Sequence, residues 1–167
     1  MKKLLLIAIA LIAVSCQNTP DMSLYNANKE IAEKWIRAYE SADLETIKSL
    51  TSKDIVHQSP QYGVGEIGYD GILAQANFYM NGYENITFTD AVWLPGVDNT
   101  TLISNGGVRV YGTWKGNNKE SGKTFSVDSY HWMEVEGGKV VRSGDFFDAT
   151  GMVMATQPDP AEEEVVE

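Results

Sequence analysis

The feature that most constrains the fold is a change of residue pattern at Gly82. Before this residue, apolar side chains recur at the three- and four-residue spacing of amphipathic helices. After it, the chain is rich in Val, Ile, Thr and Tyr, and its segments are separated by turn residues. Helices that precede a run of strands, rather than alternate with them, predict an α+β domain with an antiparallel sheet.

Three helices are predicted in the N-terminal half. The first starts near Asn28 and places Trp35 and Tyr39 on its apolar face. Asp43 is a candidate N-cap for a short second helix, and Asp70 is one for the third, which ends before Gly82.

At least four strands are predicted in the C-terminal half. The longest lie within residues 101–114, 124–135 and 140–148, after shorter β-rich runs between 86 and 94. Glycines such as Gly112 are candidates for bulges or bends. Gly137 and Gly138 form a hairpin turn. Long, bent strands should curl around the helices and leave a concave side.

The N-terminus resembles a bacterial lipoprotein signal. Two lysines precede an apolar run over residues 4–14, which is too short to span a bilayer and is followed by Ser15 and Cys16. The resemblance implies cleavage after residue 15, acylation of Cys16 and a tether over residues 16–25. Ala13 departs from the usual Leu, and an ordinary signal peptide with an incidental Cys is the alternative. The expected location is the bacterial cell envelope, anchored in the lipid bilayer, with the periplasmic face of the outer membrane favoured over the cell surface.

Charge and cysteine content exclude several classes of protein. The formal net charge is −10, and it becomes −12 without residues 1–15, because 11 basic residues then face 23 acidic ones. Nucleic-acid binding is not expected, since phosphate contacts need Lys and Arg. A single Cys excludes an internal disulfide. The acidic segment 156–167 is predicted to be a disordered tail, so that the folded domain covers residues 26–155.

Several motifs, in their order along the chain, resemble the SnoaL-like branch of the nuclear transport factor 2-like superfamily, a branch named for a polyketide cyclase. They are the helical step at residues 40–45, the stretch 54–60, the hairpin 131–141 and the ending Phe146-Phe147-Asp148. The resemblance implies a cone-shaped, curved antiparallel sheet wrapped around the N-terminal helices, with a pocket inside. It also implies a possible homodimer through the sheet.

Three residues are candidates for acid–base catalysis: His57, Asp128 and Asp148. Asp148 matches the closing Asp of the family pattern, although it could equally be a structural carboxylate. The isomerase-like members of the family carry a general-base Asp at the position that Ser59 occupies in this chain. A serine cannot act as a carboxylate base, and this difference counts against isomerase chemistry of that kind. Asp145 lies on the opposite strand face from Asp148 and is expected to be exposed to solvent.

The predicted pocket wall depends on which face of strand 124–135 points inward. One face carries Asp128, Tyr130 and Trp132, and the other carries His131 with Met133. Both alternatives stay open. The candidate lining residues are therefore drawn from both faces and from neighbouring elements: Trp35, Tyr39, Tyr130, Trp132, His131 and Phe146.

The sequence contains no metal-binding, nucleotide-binding or serine-nucleophile motif, so neither a metal nor a cofactor is expected. The first functional hypothesis is an anchored domain that binds a small, largely apolar molecule. The second is a SnoaL-like isomerase, cyclase or hydratase that uses a pocket His or Asp. The third is an accessory envelope protein that acts through its sheet face.

The anchoring hypothesis predicts the behaviour of Cys16→Ser. Without an acylated Cys, the protein loses the buried acyl methylenes that contribute about 0.8 kcal/mol each. The variant should therefore move from the membrane fraction to the soluble fraction when cells are lysed and centrifuged. Unchanged sedimentation with the membranes would contradict the assignment.

Overall fold

The computed structural model describes residues 21–160, which form four helices and six strands. The predicted signal peptide, Cys16 and most of the acidic tail lie outside the described residues. Within residues 21–160, no helix is both long and apolar enough to cross a membrane. In chain order the elements are α1 (Ser23–Glu40), α2 (Leu44–Leu50), β1 (Thr51–Gln58), β2 (Glu66–Ile67), α3 (Tyr69–Gly82), β3 (Tyr83–Val97), β4 (Ser104–Asn118), β5 (Thr124–Glu136), β6 (Lys139–Phe146) and α4 (Ala149–Thr156).

The strands form one curved, unclosed sheet in the order β2-β1-β6-β5-β4-β3. The predicted α+β class is confirmed, with one correction to the sheet. Its neighbours are antiparallel except for β1 and β6, which run parallel. A parallel pair needs a long connection, and here the chain between β1 and β6 supplies one. Register shifts between β3 and β4 bend the sheet, as bulges do.

The helices pack onto the concave side of the sheet. Helix α1 buries Trp35, Ile36 and Tyr39, each at most 8% exposed. Ile47 from α2 and Ile72 from α3 are fully buried beside them. Burial of each large apolar side chain contributes about 1.5–3 kcal/mol, so this helix–sheet interface supplies much of the folding free energy.

The observed helix ends differ from the predicted ones at several places. Helix α1 already begins at Ser23, inside the segment predicted as a tether. Gly68 rather than Asp70 occupies the N-cap of α3. The Asp43 cap of α2 is confirmed, since its side chain accepts a hydrogen bond from the Thr46 amide at 2.9 Å.

Helix α4 was not predicted, and it explains Asp148. The Asp148 carboxylate accepts a hydrogen bond from the Gly151 amide at 2.8 Å and so caps this helix. At the other end, Thr156 is buried, and its hydroxyl lies 2.9 Å from that of Tyr83. The folded domain therefore includes residue 156. An eight-residue helix with apolar residues on every side has no amphipathic stripe by which sequence periodicity could identify it.

Candidate functional site

A cavity lies between the concave face of the sheet and helices α1, α3 and α4. The centre of a water molecule can occupy about 50 Å³ of this cavity. The cavity is therefore a narrow slot. Its wall is mostly aromatic and apolar, with Gln75, His131 and Asp145 as polar groups; the remaining lining residues are Trp35, Ile36, Tyr39, Tyr79, Tyr83, Ile86, Trp114, Phe125, Phe147 and Met152.

Asp145 is the centre of the polar part of this wall. It lies directly opposite His131 across strands β6 and β5, and its Oδ1 is 2.7 Å from Nδ1 of that ring. Its Oδ2 is 3.4 Å from Nε2 of His57 on strand β1. Asp145 is only 7% exposed. The expectation that this residue faces solvent is wrong, because the face of β6 opposite Phe146 is the concave one.

Three further contacts complete the cluster around Asp145. The Gln75 amide nitrogen lies 3.3 Å from Asp145 Oδ2, and the amide oxygen accepts from the Ser59 hydroxyl at 3.3 Å. The carboxylate can only accept, so it sets which end of the amide faces it, and the Ser59 hydroxyl is left to donate to the amide oxygen. On the far side of the buried His57 ring, Nδ1 lies 2.8 Å from the Ser143 hydroxyl.

Trp114 determines the protonation state of His131. The indole Nε1 lies 2.9 Å from His131 Nε2 and can only donate a hydrogen bond. His131 must therefore accept at Nε2 and carry its single proton on Nδ1, from which it donates to Asp145. The Ser129 hydroxyl, 3.0 Å from the same Nε2, is compatible with this arrangement because it can rotate its hydrogen. We infer that His131 is neutral in this site.

The Asp145 carboxyl stays ionised. Burial by itself would raise its pKa, but the attraction that the His131 and His57 rings exert when they are protonated at acid pH, together with their hydrogen bonds, outweighs it and holds the pKa well below the usual range. Among residues 21–160, the ion-pair contacts of Asp145 are to these two histidines and to no Lys or Arg. In the same part of the chain no cluster of three His, Cys, Asp or Glu residues could hold a metal ion.

Two tyrosine hydroxyls in the cavity wall have no hydrogen-bond partner in the protein. They belong to Tyr39 on α1 and Tyr79 on α3, and both oxygen atoms are buried. Burial raises the pKa of each hydroxyl above its usual value, and the charge of Asp145 raises it further. Both groups therefore stay protonated and can donate or accept a hydrogen bond. An unpaired buried polar group costs about 1–3 kcal/mol, which a ligand could recover.

Four of the predicted site residues lie outside the cavity, on the convex face of the sheet. Asp128 is exposed and accepts from the Thr113 hydroxyl at 2.8 Å. The Tyr130 ring lies between those of Tyr111 and Phe146, with centroids 4.8 and 5.9 Å away, and Phe146 is 52% exposed. Trp132 lies 5.8 Å from the Arg142 guanidinium.

Among the other predicted residues, Trp35, Tyr39 and His131 line the cavity, whereas His57 lies behind Asp145. The three proposed catalytic residues therefore do not converge, because Asp128 is on the convex face and Asp148 caps a helix. Sequence reasoning missed Gln75, Tyr79 and Asp145. No local signal identified Asp145, since counting back from the Gly137–Gly138 turn pairs His131 with Gly144, and a register shift between Glu134 and Val135 is needed to bring Asp145 opposite it.

The comparisons with known proteins fit this architecture. Residues 32–143 match the SnoaL-like domain family, and the chain belongs to that family. No functionally curated protein matches it.

Several solved structures share the fold. A candidate isomerase from Bacillus subtilis superposes with a TM-score of 0.67 at 17% identity, over 80% of this chain and 95% of that one. A candidate polyketide cyclase from Xanthomonas campestris gives 0.64 at 14% identity, over 81% and 100% of the two chains. An NTF2-like protein from Burkholderia xenovorans gives 0.59 at 18% identity, over 79% and 97%. At these identities the similarity concerns the fold.

The Trp114 contact predicts the tautomer of His131. In ¹⁵N NMR spectra of the protein at pH 7, the Nδ1 signal should fall in the protonated range and Nε2 in the unprotonated range. Trp114→Phe keeps the ring but removes the donor, so the Nε2 signal should move while Nδ1 stays bonded to Asp145. Spectra with both nitrogens of His131 protonated would contradict the neutral state.

The unpaired hydroxyls predict an unusual effect on stability. Tyr39→Phe should raise the free energy of unfolding of the ligand-free protein by about 1 kcal/mol, because it removes a buried polar group without a partner. The matched control is Tyr83→Phe, which loses the contact with Thr156 and should lower it by about 1 kcal/mol. Urea unfolding of both variants measures the difference. An equal loss in both would show that Tyr39 has a partner.

Proposed function

We propose that this protein binds a small, largely apolar molecule in the cavity around Asp145. One observation carries the proposal: the aromatic slot contains two buried tyrosine hydroxyls that have no partner in the protein. An apolar slot with a few convergent polar groups is the usual form of a small-molecule site. The polar groups would orient one polar end of the ligand, and the aromatic wall would cover the rest.

The slot also limits the size of the ligand. Without side-chain movement it accommodates flat or thin molecules, since little of its volume admits even the centre of a water molecule. The rings of Trp35 and Trp114 both pack edge-on against Tyr39, with centroids 5.5 and 6.1 Å away, which holds the slot in shape.

Anchoring in the envelope is part of the same proposal. The apolar run over residues 4–14 and the position of Cys16 support it. Because α1 begins at Ser23, only about six residues would separate an acylated Cys16 from the folded domain. We expect the cavity to be held close to the membrane, at the periplasmic face of the outer membrane.

Acid–base catalysis is a second candidate function. It is favoured by the cluster itself, in which a carboxylate backed by two imidazoles lies in the same cavity as two hydroxyl donors. Such groups could remove a proton beside a carbonyl and stabilise the oxyanion that forms. We rank it second because the lowered pKa of Asp145 reduces its basicity and because Trp114 occupies the free nitrogen of His131.

The convex face supports the third hypothesis and the possible homodimer. Tyr111, Tyr130 and Phe146 form a partly exposed aromatic row there. Exposed apolar rows of this kind are typical of protein contacts. A partner or a second copy covering this row would leave the cavity free, so that binding and assembly are compatible.

Binding in the cavity can be tested with two small aromatic probes, benzyl alcohol and benzylamine. We expect at least one of them to shift the indole N–H resonance of Trp114, which lines the cavity, in ¹H–¹⁵N spectra. The indole N–H of Trp132 on the convex face is the internal control and should not move. No shift at Trp114 with either probe would contradict the proposed function.

A further inference from the structure

The charge of the cavity indicates the chemical class of the proposed ligand. Asp145 is ionised, lines the cavity and has no Lys or Arg among its ion-pair contacts within residues 21–160. An ionised carboxylate inside a protein is stable only where partners compensate for the water it has lost. The net charge of the site therefore depends on which partners of Asp145 are charged.

The partners of Asp145 can all be neutral. His131 accepts from the Trp114 indole and so carries no second proton. Gln75 donates through an uncharged amide. His57 can donate from Nε2 to Asp145 and accept from the Ser143 hydroxyl at Nδ1 in its neutral form. The Gln75 amide nitrogen also lies 3.4 Å from Nε2, and in this arrangement it donates to Asp145 and not to the ring. The cluster then keeps a net charge of −1.

The rest of the wall suits a cation. Seven aromatic side chains line the slot besides His131, and the faces of such rings attract positive charge. The unpaired oxygens of Tyr39 and Tyr79 can accept hydrogen bonds from an ammonium group. A ligand carboxylate would instead place a second negative charge beside Asp145, and an uncharged ligand would leave the Asp145 charge uncompensated.

We propose that the ligand of this cavity is a protonated amine with a small apolar body, its ammonium group paired with Asp145 and its body among the aromatic rings. This proposal rests on the proposed binding function and specifies the chemical class of the ligand. It makes Asp145 the specificity-determining residue and assigns Tyr39 and Tyr79 as additional acceptors.

Three probes of one shape test the proposal: benzylamine, benzyl alcohol and benzoate, which are cationic, neutral and anionic at pH 7. Their affinities for the wild-type protein are measured by NMR titration of Trp114 in about 0.15 M salt, which screens attraction to the acidic surface. We expect benzylamine to bind at least about tenfold more tightly than benzyl alcohol, since charge-assisted hydrogen bonds are the strong ones, and benzoate to bind weakest.

Two variants locate the source of this preference. Asp145→Asn should abolish the tenfold preference for benzylamine, whereas Asp128→Asn removes an exposed carboxylate on the convex face and should preserve it. Equal loss in both would assign the preference to overall charge and overturn the proposal. Should Asp145→Asn fail to fold, the wild-type comparison decides alone.

The outcomes separate this proposal from the proposed function. Benzyl alcohol binding as tightly as benzylamine, with Trp114 shifted by both, overturns the amine class and leaves small-molecule binding intact. A failure of both probes to shift Trp114 overturns both proposals.

Discussion

Asp145 keeps a negative charge inside the protein, and the arrangement of the concave face follows from the cost of keeping it there. A carboxylate removed from water needs hydrogen-bond donors. The protein supplies them from three elements: His131 on β5, His57 on β1 and Gln75 on α3. Each donor is itself held by a further contact, through Trp114, Ser143 and Ser59 respectively. The polar network thus links the sheet to a helix across an otherwise apolar interior.

The two faces of the sheet show that aromatic content alone does not define a pocket. The concave face and the convex face both carry tyrosine, tryptophan and phenylalanine. On the concave face, helices α1 and α3 enclose the rings and leave a slot between them. On the convex face the rings of Tyr111, Tyr130 and Phe146 pack on one another and stay partly exposed. Enclosure by the helices, and not residue type, makes one face the wall of a cavity.

The low pKa of Asp145 has opposite effects on cation binding and on acid–base catalysis. A carboxylate with a low pKa holds a cation well but removes a proton poorly, because basicity falls with the pKa. Related pockets could therefore change function by altering the partners of the carboxylate rather than the fold. This agrees with the general observation that one fold hosts many activities.

Much of the architecture could be predicted from local sequence. The Asp43 cap and the Gly137–Gly138 turn are short-range features, and the structure contains both. The predicted order of three helices before the strands is only partly right, because β1 and β2 lie between α2 and α3, and α4 follows β6. Trp35, Tyr39 and His131, three of the candidate lining residues, lie in the cavity wall. Caps, turns and helical periodicity can be predicted because they depend on residues near one another in the chain.

The position of Asp145 could not be derived in this way. A register shift between Glu134 and Val135 on one side of the hairpin brings Asp145 opposite His131; without it, His131 would face Gly144. Because side chains alternate along a strand, a shift of one residue exchanges the two faces. His57 reaches the site because β1 joins β6 in parallel, a pairing of residues far apart in sequence.

The sequence by itself determined the class of fold, the approximate positions of its longer helices and strands, and the residues able to carry a charge or a ring. The tertiary structure alone decided which of these residues meet in the cavity. The physical reason is that each strand has two equivalent faces. Only the packing of α1 and α3 on one of them, together with the bulge in the last hairpin, selects the face that is closed off from water.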